Sequence, residues 1–309
     1  MENLLASLRA VYPLLAMLAL GMTVRRLGLV TDNGLKEMNG LIYKVFFPFM
    51  MFANVMDSDF SAGMDARLVA TAAALIVSSF TVLMLLVPRF EHDNAKRGVL
   101  VQGIFRSNFL VFGVSIVTSL YGTQRLAPTV LLAAVTIPLM NALSVVALET
   151  FRGGKPKAIR LMASVARNPI IAGTLLAFAA KALRLDPLPE ATRSIAKVGT
   201  PFALVVIGAS FKLGNVSLYR KPLFWGVAGK LVILPAVAVT ICALAGFRNE
   251  MLVALMAVFG GPCATASYAM AQQMGGDGEL AALMVVLTSV LCTLSFFLWI
   301  FALKSLGLA

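Results

Sequence analysis

The sequence predicts an all-α polytopic membrane protein, with ten transmembrane helices arranged as two inverted five-helix repeats. Three observations carry this expectation. First, 60% of the 309 residues are hydrophobic and only 13% are charged, giving a mean hydropathy of +0.90; soluble domains carry about a quarter charged residues. Second, the apolar residues come in long continuous blocks, each near the roughly 20 residues that a helix needs to cross the hydrocarbon core. A membrane barrel would instead show short segments of alternating polarity. Third, the two halves of the chain repeat one another.

Taken in order, helix one covers Leu5 to Gly28. Its basic pair Arg25-Arg26 follows the apolar run, the reverse of a secretory signal, so the segment reads as a membrane helix. Helix two runs from Leu35 to Met56, helix three from Ala66 to Pro88, helix four from Gly98 to Tyr121 and helix five from Leu126 to Thr150. Helix six is Ile159 to Leu183, helix seven Thr192 to Lys212 and helix eight Pro222 to Gly246. Helix nine is Met251 to Met274 and helix ten Glu279 to Ser305.

Lysine and arginine cluster in the loops after helices one, three, five and seven, as in Arg25, Arg26, Arg89, Lys96, Arg97, Arg152, Lys155, Lys157, Lys212, Arg220 and Lys221. Positive loops stay in the cytoplasm, so both termini are expected outside. The repeat signal follows the same segments. Lys44-Val45-Phe46-Phe47-Pro48-Phe49 matches Lys197-Val198-Gly199-Thr200-Pro201-Phe202, and the same offset aligns Gly98–Gly122 with Met251–Gly275. Helix one aligns with helix six, from Tyr12-Pro13 against Asn168-Pro169 onward. Residues 1–151 and 152–309 are then the two halves. Each has an odd number of helices, so the second enters the membrane from the opposite side, as in many secondary transporters.

Composition excludes several function classes. The net charge of +12 sits in short loops, where it sets orientation and meets anionic headgroups; no aromatic-basic patch marks nucleic-acid binding. Cys242, Cys263 and Cys292 lie in apolar segments without metal-ligand spacing, and His92 is the one histidine. Hydrolytic triads and zinc sites lack their residues, so no enzyme activity and no cofactor are expected.

In inverted-repeat folds the site forms near the midplane, where helices are interrupted. Helix four offers Arg106, Ser107, Asn108 and Phe109, followed by Gly113 and Ser115; helix nine offers Gly260, Gly261, Pro262, Thr265 and Tyr268. Gly-Gly-Pro destabilises a regular helix, because glycine adds backbone freedom and proline removes a donor. A charge at the bilayer centre costs roughly 2.5–3.5 kcal/mol on insertion scales, so Arg106 faces a cavity or a partner. It either attracts an anion, or serves structurally by capping carbonyls of a broken helix or snorkelling to the cytoplasmic face. Asn108, an amide at the presumed break, reads as a substrate ligand. Pro48 and Pro201 mark kinks in helices two and seven, and Lys44 and Lys197 snorkel. Asn54, Asn141 and Glu149 fit either a cavity lining or packing. No Asp or Glu falls at the midplane, so the coupling ion, sodium or proton, stays open.

These residues together resemble the auxin efflux carrier family, within the bile-acid-symporter-like superfamily. The resemblance covers nearly the whole chain. It rests on Arg25-Arg26-Leu27-Gly28-Leu29, Arg106-Ser107-Asn108-Phe109 with Gly113, Asn168-Pro169, Gly199-Thr200-Pro201, and Pro262 to Tyr268 followed by Ala271-Gln272-Gln273. It implies broken helices four and nine that cross in a transport domain of helices three to five and eight to ten. It also implies a scaffold of helices one, two, six and seven that pairs in a homodimer. Plant relatives export auxin; bacterial relatives are assigned to dicarboxylates such as malate or malonate, and this compact chain looks bacterial. Two departures stand out: Ser115 where the family often has a proline, and Ala266 where relatives often carry an asparagine.

The expectation is therefore a secondary transporter of a small organic anion in the cytoplasmic (inner) membrane, working by an elevator or rocking motion. The alternatives are a sodium-coupled symporter of a larger amphipathic acid and a non-transporting sensor or scaffold.

Overall fold

The computed structural model describes residues 2–58, 65–153, 158–185, 188–211, 214 and 216–309. Lys155, Lys157 and Lys212, placed above in two loops and at the end of helix seven, lie outside the described residues. Among the described residues the regular elements are all helical. Four uninterrupted stretches, Ala66–Phe90, Ala127–Phe151, Arg220–Leu244 and Gly278–Ser305, are long and apolar enough to cross a membrane. Their outward sides expose large apolar groups such as Leu85, Phe224, Leu294 and Phe301, a surface suited to lipid.

The first half runs α1 (Glu2–Arg26), α2 (Asp32–Leu41), a π turn (Ile42–Phe46), α3 (Phe47–Met56) and α4 (Ala66–Phe90). It continues through α5 (Asn94–Phe105), α6 (Phe109–Tyr121) and α7 (Ala127–Phe151). The second half runs α8 (Ala158–Ala166), α9 (Pro169–Ala182), α10 (Glu190–Ser210), α11 (Arg220–Ala228), a π turn (Gly229–Ile233) and α12 (Leu234–Leu244). Last come α13 (Asn249–Gly260), α14 (Ala266–Gln273) and α15 (Gly278–Ser305).

Local chemistry explains the punctuation. Thr31, Asp65, Asp93 and Asp277 each cap a helix by accepting a first-turn N–H, which satisfies one of the four donors left over there. Both π turns sit just ahead of a proline, Pro48 and Pro235. A proline ring has no N–H and crowds the carbonyl four residues back. At Pro235 that carbonyl is Leu231 O, and it accepts instead from Ser295 Oγ at 2.9 Å and Trp299 Nε1 at 3.1 Å.

One expectation is corrected. Helix six is not continuous: α8 stops at Ala166, and Asn168 takes an extended conformation (φ −69°, ψ 124°) and caps α9 through Ile170 N at 3.0 Å. The following Pro169 disfavours helical geometry at Asn168. Pro201, read above as marking a kink, lies inside α10, which runs from Glu190 to Ser210.

Packing divides the helices into two groups. In one, α1 lies along α10 and α3 along α9, with α10 also against α3. Glycines make these seams close. A Cβ on Gly21 would meet Val205 O, one on Gly208 would meet Leu18 O, and one on Gly173 would meet Pro48 O. Small residues that let backbones touch are the usual device where lipid supplies no hydrophobic drive. In the other group α5 and α13 are central. Every side chain from Leu252 to Phe259 is 0% exposed, with α4, α6, α7, α12 and α15 packed around them.

Candidate functional site

The centre of the second group is a crossing of two interrupted helices. The interruption from Arg106 to Asn108 separates α5 from α6, and that from Gly261 to Thr265 separates α13 from α14. The two extended stretches meet as an antiparallel bridge between Ser107 and Cys263, held by Asn108 N donating to Pro262 O at 2.9 Å. Cys263 N donates to Thr288 Oγ1 of α15 at 3.0 Å, and Gln102 Nε2 to Ser267 O at 2.9 Å. The bonds of Asn108 N, Pro262 O and Cys263 N occupy backbone groups that the interruptions strip of helical partners, as buried backbone requires; the Gln102 amide adds a side-chain tie to α14. Gly261 is obligatory here, because a Cβ would collide with Ser107 Oγ and crowd Ala257 O at 2.8 Å.

The crossing aims two helix amino ends at one place. Neither Asn108, ahead of α6, nor Thr265, ahead of α14, caps its helix with its side chain. In α14, Ser267 N and Tyr268 N donate to Ala264 O and Thr265 O, so what the two amino ends bring to the interruption is their positive dipole, which favours anions. Between them lies a cavity of about 160 Å³, lined by Arg106, Ser107, Asn108, Phe109 and Thr265 together with Asn54, Asn141 and Thr200. Asn108 Nδ2 and Ser107 Oγ are buried without a hydrogen-bond partner. Arg106 is 3% exposed and gives one N–H to Asn141 Oδ1 at 2.5 Å and another to Met270 Sδ at 2.8 Å. That uses two of the five donors of a guanidinium. Asn141 Nδ2 passes the chain on to Met51 Sδ at 2.9 Å.

A second cavity of about 280 Å³ shares Met51, Asn54, Leu110 and Ile137 with the first and continues past Val55, Asp57 and Ser58. It leads from the crossing towards the α3–α4 connection. On the opposite side, Asn168 Nδ2 donates to Tyr43 Oη at 2.7 Å, and the hydroxyls of Ser210 and Tyr268 lie 2.8 Å apart.

The structure thus gathers Arg106, Ser107, Asn108, Phe109 and Thr265 around one cavity, with Asn54 and Asn141. Gly261 and Pro262 form the far strand of the bridge and do not line it; Tyr268 points to Ser210. Gly113 lies further along α6, where a Cβ would press on Thr129 and Ala257. Ser115 is on the same helix, and Gly260 ends α13. Pro48 follows a π turn at the start of α3, whose Met50, Met51 and Asn54 line the cavity, and Glu149 pairs with Arg152 at 3.1 Å. Sequence reasoning missed Gln102 and Lys230, a lysine that is 0% exposed. Each was visible as a polar residue in an apolar run. A larger hollow, about 1010 Å³ between α11 and α15, is lined mostly by apolar side chains such as Phe224, Leu291 and Leu298. It lacks convergent polar groups, which marks the crossing as the better site.

No curated protein matches the chain in comparison. A family model described as "membrane transport protein" matches residues 6–300, nearly the whole of it. Apolar spans, interrupted crossing helices and this match lead to one assignment: the chain belongs to the membrane transport protein family, that of the auxin efflux carriers, and is a membrane transporter.

Proposed function

We propose that the chain carries a small organic anion, a dicarboxylate such as malate or malonate or a related carboxylate, across the cytoplasmic membrane by alternating access. One observation carries the reading: two uncapped helix amino ends and the Arg106 guanidinium converge on a cavity holding the unpartnered amide of Asn108. Every one of these groups favours negative charge. The cavity, at about 160 Å³, falls below the roughly 300–1,000 Å³ of sites for drug-sized ligands. That size supports a small acid over a large amphipathic one.

The architecture proposed is ten transmembrane passes in two inverted repeats. Helix packing supports it. Exchanging the halves turns the α1–α10 contact into the α9–α3 contact, and the α4–α5 contact into the α12–α13 contact. The group around α1, α3, α9 and α10 is then the scaffold, through which a homodimer forms, and the group around the crossing is the moving, elevator-like transport domain. With the basic loops inside, both termini lie outside, and the passage by Asp57 and Ser58 opens outward.

Uptake of labelled malate, malonate and aromatic acids into proteoliposomes tests this, for wild type and Asn108→Ala. Saturable uptake is expected, falling about tenfold or more in Asn108→Ala, as removal of a transition-linked binding group does. Uptake untouched by the substitution moves the site elsewhere. No flux from folded protein overturns the reading.

A further inference from the structure

The apolar span Arg220–Leu244 holds one charge in its interior, Lys230, on the π turn Gly229–Ile233. It lies ten residues from the nearer end of that span, about 15 Å of helix, too deep for its stem to reach water. The side chain is 0% exposed. Its Nζ donates to Phe259 O at 3.4 Å. Phe259 is in the last turn of α13, immediately before the crossing, where helix carbonyls lack partners and the dipole is negative.

The elements packed against this π turn are α5, α11, α12, α13 and α15. The titratable group that acts on Lys230 is the Cys263 thiol, in the interruption that follows α13, which Arg106 also influences. Among the described residues no Asp or Glu is buried. Lys230 is therefore a buried cation whose counterpart is the carboxyl end of an interrupted helix. In carriers built on broken helices, such ends and their unwound carbonyls are where coupling cations are coordinated.

We propose that Lys230 is a tethered cation, its ammonium standing at the carboxyl end of α13 in the place of a coupling ion, so that the carrier needs the lysine's charge and no sodium there. The inference rests on the crossing being the transport centre. It differs from a packing role, because Lys230→Met keeps the stem and removes only the charge. Exchanging a buried ion for an apolar group of like shape is neutral or stabilising.

The test has two arms. In detergent, thermal unfolding of the purified protein is followed through labelling of the three buried cysteines, in sodium chloride and in choline chloride. Wild type and Lys230→Met are expected to melt alike in both salts. Lys230→Ser, which leaves room for an ion, should melt higher in sodium. In proteoliposomes, wild-type flux should be the same with either cation, and Lys230→Met should lose about tenfold or more. Sodium dependence of wild type in either arm overturns the proposal, as does full flux in Lys230→Met. A Lys230→Ser variant indifferent to sodium overturns the shared position. If wild type moves no acid, the transport reading fails, and the melting arm still decides the lysine.

Discussion

A guanidinium held at membrane depth must find acceptors inside the protein, and Arg106 finds an amide oxygen and a thioether. Its neighbour Gln102 has a different task. By donating to Ser267 O it ties α5 to the first turn of α14. Gln102→Leu removes that buried side-chain bond, at a cost of about 0.5–1.5 kcal/mol, visible as a lower melting temperature in detergent. Arg106 and Asn108 were legible in the sequence because a polar side chain in an apolar run demands a reason. Lys230 carries the same anomaly, and the insertion cost flags it equally. The repeat matches, however, run through helices one, two, four, six, seven and nine and are silent about helix eight. What no single residue reveals is partnership: that Asn141 of α7 faces Arg106 depends on how helices pack.

At the scale of elements, apolar length determines the helices, and their ends in the structure fall close to those expected from the sequence. Their interruptions are less legible. Proline is ambiguous: Pro169 starts a helix, Pro48 and Pro235 follow π turns, and Pro201 is absorbed into an unbroken α10. The outcome depends on whether neighbours can satisfy the carbonyl that proline strands, as Ser295 and Trp299 do for Leu231. The break in helix four contains no glycine or proline. It is enforced from outside, by the bridge to the Gly-Pro stretch of the opposite repeat. Glycine acts more plainly in the α1–α10 seam. Gly208→Leu, with its side chain driven into Leu18 O, should cost about 1–3 kcal/mol of overpacking and lower the melting temperature. The same change at Gly307, where nothing lies within 4 Å of a Cβ but φ is 65°, should cost only local strain.

For the whole molecule, the proposed elevator-like motion carries the crossing as one piece. Opposed residues of an antiparallel bridge lie about 4.5–5.5 Å apart at Cα, within reach of a disulfide. Ser107→Cys should therefore couple to the native Cys263 under mild oxidation, removing two thiols from labelling. If the crossing moves rigidly, the oxidised variant carries acid as fast as the same variant reduced; a loss on oxidation alone assigns the motion to the crossing itself.

The seam between the two helix groups has a chemistry of its own. Asn141 reaches across it to Met51 Sδ, and Asn168 to Met274 Sδ at 3.8 Å. A thioether is a weak acceptor on a pliable stem, so these ties hold register yet yield at little cost. Oxygen added to either sulfur would turn a soft contact into a strong polar one. Peroxide treatment should then make the seam grip, stalling the carrier while every helix stays folded.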